Sequence, residues 1–269
     1  MSVFPSRAPA PGLVARLRAA GCVFAEDEAE LLTTAARTPD DLAAMVERRV
    51  SGEPLEHVLG WAAFCGLRLL VEPGVFVPRP RTEFLIEQAA EVARAAPGTP
   101  VVLDLCCGTG AMAAALAARL GRPVELHAAD LDPAAVRCAR RNLPTGHVYE
   151  GDLYDPLPVT LRGRIDVLVA SPPYVPSASV GLLPPEARLY EPLAALDGGD
   201  DGLDVVRRVI DRAREWLAPG GSLLVETSER QADETARAAG RAGLTARVTG
   251  SADLDATAVI GTLRARRSG

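Results

Sequence analysis

A loop of glycines and short side chains at residues 104–110 has the composition of a ligand-binding turn. It reads Asp-Leu-Cys-Cys-Gly-Thr-Gly, it closes the apolar run 101–105, and a helical pattern follows it directly. Glycines let the backbone approach a ligand, and the first turn of a helix carries free N–H groups. Asp130 ends the next apolar run, where its carboxylate can accept from ribose hydroxyls, and Asp152 could accept from an adenine amino group. These residues predict a nucleoside ligand.

The spacing of this loop fits two classes of cofactor. Gly108, Gly110 and Ala113 satisfy the relaxed dinucleotide fingerprint, and Asp130 stands where that fingerprint has its acidic residue. Asp104 favours a different ligand, because a carboxylate at the end of the first strand repels a pyrophosphate and attracts the ammonium group of an amino acid. The structural alternative is that this carboxylate only caps a helix or orders the loop.

The apolar run 165–170 leads directly into the motif Ser-Pro-Pro-Tyr at residues 171–174. Paired prolines fix the backbone and remove two donors, so nearby carbonyl groups can accept hydrogen bonds in a rigid geometry. An amide nitrogen is a poor nucleophile, and a site that accepts from its N–H groups favours the charge that develops during attack. The tyrosine ring can pack on the planar group. The motif resembles the [Asn/Asp/Ser]-Pro-Pro-[Tyr/Phe] pattern of methyltransferases that act on planar nitrogens, and its structural alternative is a stiff surface loop.

The elements that carry these residues alternate between strands and helices. Seven strands are predicted at 101–105, 124–129, 147–151, 165–170, 222–226, 244–248 and 259–264. Helices are predicted at 82–94, 111–120, 133–142 and 203–216. Asp132, followed by proline, is predicted to cap one of them. This alternation predicts an α/β fold with a doubly wound, mostly parallel sheet, whose ligands bind at the carboxyl ends of the strands.

The N-terminal part of the chain has a different pattern. Apolar positions over residues 11–50 recur with helical spacing, Thr38 is predicted to cap a helix that begins with proline, and a turn at residues 51–52 is predicted to end the helical region. We therefore predict two domains. Residues 1–75 form a helical substrate-binding domain with a connecting hairpin, and residues 76–269 form the catalytic domain.

Composition excludes several classes of protein. The 269 residues are 48% hydrophobic and 24% charged, as in ordinary globular chains, and the net charge of −6 disfavours general binding to nucleic acid. The apolar runs are too short to cross a bilayer. Five scattered cysteines without a signal peptide indicate a reducing compartment, which predicts a cytoplasmic location, and no spacing of cysteines or histidines indicates a metal site.

Three segments resemble the release-factor glutamine methyltransferase family, whose members are class I enzymes dependent on S-adenosylmethionine. Residues 28–32 (Glu-Ala-Glu-Leu-Leu) are similar to the substrate-binding domain of that family. Residues 73–83 resemble its segment Pro-Gly-Val-x-Ile-Pro-Arg-Pro-x-Thr-Glu, and residues 190–199 match Tyr-Glu-Pro-x-x-Ala-Leu-x-Gly-Gly. The resemblance extends over nearly the whole chain. It implies S-adenosylmethionine as cofactor, transfer of a methyl group to the side-chain amide of a protein glutamine, and a class I peptide chain release factor as partner.

The resemblance also implies which residues form the site. The expected cofactor-binding residues are Asp104, Cys106, Gly108, Gly110, Asp130, Asp152 and Ser171. The residues expected to hold the target amide are Ser171, Pro172, Pro173 and Tyr174. Substrate binding is expected from Arg79, Glu83, Ser171 and Tyr174. No metal is expected.

Three positions depart from the family's usual pattern. Ser171 stands where the family has Asn, Cys106 where it has Gly, and residues 226–228 read Glu-Thr-Ser instead of Glu-Ile-Gly. A serine hydroxyl can accept a hydrogen bond but is shorter than a carboxamide, so the target nitrogen would have to lie deeper. Two alternatives therefore stay open. One is methylation of another amide, an amine or a nucleobase, since the motif is also similar to that of cytosine-N4 DNA methyltransferases. The other is a catalytically degenerate protein that only binds the cofactor.

Overall fold

A computed structural model describes residues 11–265 of the chain. Its helices are α1 (Pro11–Ala19), α2 (Ala25–Ala35), α3 (Pro39–Val50), α4 (Leu55–Leu59), α5 (Glu83–Ala95), α6 (Ala111–Leu120), α7 (Pro133–Asn142), α8 (Ser177–Val180), α9 (Pro185–Tyr190), α10 (Asp204–Trp216) and α11 (Glu229–Arg241). Its strands are β1 (Trp61–Phe64), β2 (Leu67–Leu70), β3 (Val101–Leu105), β4 (Glu125–Asp130), β5 (His147–Glu150), β6 (Ile165–Ala170), β7 (Leu217–Thr227), β8 (Thr245–Ser251) and β9 (Ala256–Thr262).

A seven-stranded sheet in the order β5-β4-β3-β6-β7-β9-β8 forms the centre of the fold. The strands from β3 to β7 pair in parallel, and β9 is antiparallel to both of its neighbours. The chain builds outward from β3 to β5 and then crosses back to place β6 on the other side of β3. This reversal between β3 and β6 is the switch point at which open α/β sheets bind ligands. The predicted doubly wound, mostly parallel sheet is confirmed.

Two apolar layers cover the two faces of the sheet. Alternate residues of β3 point to opposite faces, as the period of a strand requires. Val102 belongs to a core that includes Ile86 of α5 and Leu116 of α6. Leu103 belongs to a second core that includes Val209 and Trp216 of α10. Because both faces of the central strands β3 and β6 are buried, these strands are mostly apolar, which explains why the sequence reveals them.

The first four helices form a smaller unit with its own core, which includes Leu17, Leu32 and Val58. Thr38 caps α3 as predicted, since the backbone N–H of Asp41 donates to its hydroxyl at 3.1 Å. The prediction that helical structure ends at residues 51–52 was wrong, because α4 follows that turn. A β1–β2 hairpin then leads to the larger unit. The domain boundary at residue 75 stays a prediction.

Several elements were not predicted from the sequence. Helix α11 buries only small side chains, such as Ala232, Thr235 and Ala238, so it has no periodic pattern of large apolar residues. Helices α8 and α9 have 4 and 6 residues, which is too short for a helical period to be recognised. Within residues 11–265, no helix has the length and apolar composition needed to cross a membrane.

Candidate cofactor and acceptor site

A cavity of about 380 Å³ opens at the carboxyl ends of the parallel strands around the switch point. Its volume falls in the range of small-molecule sites. Seven of the predicted site residues line it, namely Arg79, Cys106, Gly108, Asp130, Asp152, Ser171 and Pro173. The turns after β3, β4, β5 and β6 supply six of these seven. The sheet topology therefore brings together residues that the sequence separates.

Five predicted site residues do not line the cavity, namely Glu83, Asp104, Gly110, Pro172 and Tyr174. Glu83 accepts a hydrogen bond from the backbone N–H of Cys65 at 2.8 Å, so it holds the hairpin connector against α5. Each of the other four lies within two residues along the chain of one that does line the cavity.

Asp130 is held by the backbone of two loops. Its Oδ2 accepts from the N–H of Gly108 at 2.8 Å, and its Oδ1 accepts from the N–H of Asp132 at 2.9 Å. Burial raises the pKa of this carboxyl above its ordinary value, although both N–H groups oppose the shift. Each oxygen keeps a lone pair for a further donor, such as a hydroxyl group of a ligand.

Asp104 lies at the end of β3 and is completely buried. Its Oδ2 accepts from the N–H of Ala113 at 3.1 Å, which orders the first turn of α6, while its Oδ1 has no hydrogen-bond partner within residues 11–265. Burial, with a smaller effect of the Asp130 carboxylate, raises the pKa of Asp104 to about 8. An unpartnered buried oxygen is costly, and a cationic ligand group is one way to satisfy it.

Three residues of the glycine loop, Cys106, Gly108 and Gly110, have left-handed backbone conformations. Gly110 has a φ of 74°, and a Cβ added there would lie 2.9 Å from Cδ1 of Leu143, so any other residue would be both strained and crowded. Cys106 has a φ of 56° even though it is not glycine. Left-handed conformations cost L-residues roughly 1–2 kcal/mol. Cys106 thus keeps a left-handed backbone conformation that favours glycine, the residue that the family usually has at this position.

Two acidic residues at the cavity rim have local partners. Asp132 accepts from the N–H of Ala134 at 2.8 Å and caps α7, as the sequence predicted. Asp152 forms an ion pair with Arg208 of α10. Among residues 11–265, no group of three or more His, Cys, Asp or Glu side chains is arranged to hold a metal ion.

The opposite wall of the cavity is built around Glu226 at the end of β7. Its Oε2 accepts from the hydroxyls of Thr82 at 2.6 Å and Ser171 at 3.3 Å, and its Oε1 accepts from the hydroxyl of Tyr174 at 3.3 Å. The side chain of Arg81 pairs with the same carboxylate at 3.4 Å. Sequence reasoning did not propose Glu226 as a site residue. Its position at the end of a strand beside β6 was the signal that could have found it.

The backbone of the Ser-Pro-Pro-Tyr motif is fixed from behind. Gln231 of α11 donates to the carbonyl oxygen of Tyr174 at 2.9 Å and to that of Asp201 at 2.9 Å. A Cβ at Gly202 would lie 2.3 Å from the same Tyr174 oxygen, so only glycine fits there. Burial raises the pKa of the Tyr174 phenol, which therefore remains a hydrogen-bond donor at neutral pH.

Arg79 joins residues 73–83 to residues 190–199, which follow the Ser-Pro-Pro-Tyr motif. Its guanidinium contacts both carboxylate oxygens of Glu191 at 2.6 Å, and the N–H of Val77 donates to the same carboxylate at 3.2 Å. Glu191 is buried, so this ion pair fixes the backbone on both sides. Two of the three segments that resemble the release-factor family, residues 73–83 and 190–199, are therefore in direct contact at the cavity.

Comparison with known proteins agrees with this architecture. A family model described as a methyltransferase domain matches residues 102–180. A methyltransferase from Pyrococcus furiosus has a TM-score of 0.55 at 16% identity, over 82% of this chain and 99% of that one. A 16S rRNA methyltransferase of T. thermophilus, solved in complex with AdoMet and guanosine, has a TM-score of 0.54 at 21% identity, over 76% of this chain and 50% of that one. Fold and site together define an S-adenosylmethionine-dependent methyltransferase of class I.

Relatives at higher identity define the family. A release factor glutamine methyltransferase from Geobacter sulfurreducens is 42% identical over 202 residues, which are 72% of this chain and 69% of the relative. One from Streptomyces coelicolor is 41% identical over 190 residues, with 70% and 67% covered. The chain belongs to the release factor glutamine methyltransferase family. It is an enzyme, and S-adenosylmethionine is its cofactor.

Proposed function

We propose that this enzyme methylates the side-chain amide nitrogen of a glutamine in a class I peptide chain release factor. The observation that carries the proposal is that Ser171 and Pro173 line the same cavity as Gly108 and Asp130. An amide held at the motif and a cofactor held at the glycine loop would therefore meet in one enclosed space. The relatives at 41% and 42% identity are named for this reaction.

The bound cofactor supplies an electrophilic methyl group on a sulfonium centre. We assign its binding to Asp104, Cys106, Gly108, Gly110, Asp130, Asp152 and Ser171. The remaining lone pairs of Asp130 suit the ribose hydroxyls, and the exposed carboxylate of Asp152 suits the adenine amino group. The unpartnered Oδ1 of Asp104 suits the ammonium of the methionine part, which would compensate its burial.

We assign the target amide to the wall opposite the glycine loop. Ser171 and the backbone carbonyls of Pro172 and Pro173 would accept from the two amide N–H groups, and the ring of Tyr174 would pack on the planar group. Accepting both hydrogens favours the positive charge that the nitrogen develops during an in-line displacement. Arg79 would support the substrate chain from the cavity lining, and Glu83 would do so indirectly, through the β1–β2 hairpin that it holds.

We further propose that the helical domain, residues 1–75, binds the release factor. Arg49 of α3 forms a buried ion pair with Glu28 of α2 at 2.7 Å and reaches Glu186 of α9 at 2.7 Å. The hydroxyl of Tyr190 donates to the backbone carbonyl of Ser51 at 3.2 Å. These contacts join the helical domain to the segment after the motif, so a partner on one would lie close to the other. A release-factor substrate would place the enzyme with the translation machinery in the cytoplasm.

The test is a methylation reaction with labelled S-adenosylmethionine and the release factor of the source cell. We expect one methyl group on the glutamine of the Gly-Gly-Gln loop of that factor, detected by mass spectrometry. A release factor in which this glutamine is replaced by alanine serves as control and should stay unlabelled. Label on DNA instead would favour the nucleobase alternative. Cofactor binding by calorimetry without transfer to either substrate would favour a degenerate protein.

A further inference from the structure

Glu226 is 4% exposed and lies near the end of β7, in contact with the acceptor wall, which is the part of the cavity lining formed by Thr82 and Ser171. Two of its partners, Thr82 and Ser171, line the cavity themselves. Both hydroxyls donate to the same oxygen, Oε2, so they lie side by side on that wall. The Glu226 carboxylate therefore does not line the cavity itself but contacts the two hydroxyl groups that the target amide would meet.

The polarity of a serine hydroxyl depends on where its single proton points. A hydroxyl carries one donor and two lone pairs and rotates to suit its neighbours, whereas a carboxylate can only accept. When the Ser171 hydroxyl donates its hydrogen bond to Glu226, its oxygen presents only lone pairs to the cavity. A planar amide nitrogen that is to be methylated offers N–H donors and needs acceptors.

Resting on the proposed function, we propose that Glu226 is a positioning residue that turns Ser171 into an obligate hydrogen-bond acceptor for the target amide. It does so by accepting the hydrogen bond of the Ser171 hydroxyl, and it orients the Thr82 hydroxyl in the same way as a second acceptor. The family's usual asparagine needs no such partner, because its side-chain carbonyl oxygen carries no proton and can only accept hydrogen bonds. A Ser171–Glu226 pair thereby supplies the acceptor that the substitution of asparagine by serine would otherwise lose.

Arg81 makes the inference testable with a nearly isosteric change. The guanidinium of Arg81 forms an ion pair with Oε1 of Glu226 at 3.4 Å, and the hydroxyl of Tyr174 donates to the same oxygen at 3.3 Å. In a Glu226→Gln variant, the amide oxygen must face these two donors, because a guanidinium cannot accept. The NH2 group then faces Thr82 and Ser171 and donates to them. Both hydroxyl protons are driven into the cavity, and the polarity presented to the substrate is reversed.

The experiment is a double-mutant cycle on the full-length enzyme with the release factor as substrate. Four enzymes are compared: the unchanged chain, Glu226→Gln, Ser171→Asn, and the double variant. We expect Glu226→Gln to lower kcat at least about tenfold in the serine background, with the cofactor Kd unchanged. In the asparagine background, the same change should cost less than about threefold in kcat, because the carboxamide oxygen accepts without help.

Glu87→Gln is a matched control, because it makes the same chemical change at an exposed site. Glu87 lies on α5 and forms an ion pair with Arg119 of α6. Thermal unfolding and cofactor titration of each variant separate loss of acceptor function from loss of fold. An equal loss of kcat from Glu226→Gln in both backgrounds would overturn the inference and leave Glu226 a structural support for Arg81 and Tyr174. Failure of the unchanged chain to methylate the release factor would instead contradict the proposed function.

Discussion

The cofactor wall, which is the part of the cavity lining around Gly108 and Asp130, and the acceptor wall around Thr82 and Ser171 are built by different means. On the cofactor wall, the Asp130 carboxylate is fixed by backbone N–H groups of short loops, and Gly110 admits no other residue. On the acceptor wall, side chains of Thr82, Ser171 and Tyr174 all donate to the one carboxylate of Glu226. A wall made of backbone tolerates a changed side chain such as Cys106. A wall made of hydroxyls depends on where each proton points, so a single change there alters all of its members.

The largest effect is expected from Tyr174→Ala on the acceptor wall. Loss of the ring should lower kcat by about 100-fold, because a misplaced nucleophile forfeits much of the benefit of positioning. The cofactor Kd should change little, since we assign Tyr174 to the target amide and not to the cofactor. Steady-state kinetics and calorimetry measure the two separately. Tyr174→Phe, which loses only the hydroxyl, should cost less. A rise in the cofactor Kd as large as the loss of kcat would show that Tyr174 also holds the cofactor, which would contradict the separate roles of the two walls.

The next largest effect is expected from Asp130→Ala on the cofactor wall. Removing a charged acceptor of hydroxyl groups should raise the cofactor Kd by roughly 10–100-fold. At saturating cofactor, kcat should remain close to that of the unchanged enzyme, because the acceptor wall is intact. Titration calorimetry and kinetics at high cofactor concentration test both halves. A fall in kcat that saturating cofactor does not restore would show that Asp130 also contributes to the methyl-transfer step.

Asp104 predicts a pH dependence of cofactor binding. Its pKa is raised from 3.8 to about 8, so the free enzyme holds the carboxyl protonated at neutral pH. A bound ammonium group requires the ionised form, and the cofactor affinity should therefore rise about tenfold per pH unit up to about pH 8 and level off above it. Asp104→Asn should flatten this profile. A profile that stays unchanged in the variant would show that another group titrates.

The same raised pKa has the opposite consequence for stability. The native state binds the Asp104 proton more tightly than the unfolded state does, so this contribution to the free energy of unfolding is complete below about pH 4. It declines as the pH rises and is lost on passing through about pH 8. Denaturant unfolding of the cofactor-free enzyme at several pH values, compared with Asp104→Asn, measures it. Bound cofactor should reverse the trend.

The smallest effect is expected outside both walls. Thr38 caps α3 of the helical unit, so Thr38→Ala should lower the free energy of unfolding by about 1 kcal/mol. Neither kcat nor the cofactor Kd should change, because the cap lies in a unit with its own core. Urea unfolding and kinetics check the two statements. A fall in kcat would show that the helical unit and the cavity are coupled more tightly than their contacts indicate.

Much of the fold could be predicted because its signals are local. The bounds of β3, β6, α6 and α7 agree with the predicted ranges, since the central parallel strands are mostly apolar and the helices begin after a glycine or at a capped proline. Helix α11 was missed because alanines form its buried face. Asp132 could be identified as a cap because the interaction spans only two residues.

The contents of the cavity wall were harder to predict. Ser171 was recognised through its motif, but Glu226 was noted only as part of a departure from the family's pattern. The roles assigned to Arg79, Glu83 and the other site residues stay predictions. Glu83 lies outside the cavity because its carboxylate is occupied by the hairpin, and sequence spacing carries no information about such a choice of partner.

The sequence by itself determined the alternation of strands and helices from β3 to β6, the glycine loop and the rigid acceptor turn, because each depends on residues that are neighbours in the chain. Only the tertiary structure decided that Glu226 meets Ser171, 55 residues away, and Thr82, 144 residues away. Those contacts exist because β7 pairs with β6 and α5 packs across the same sheet. Hydrogen-bond partners that only pairing and packing bring together leave no pattern along the chain.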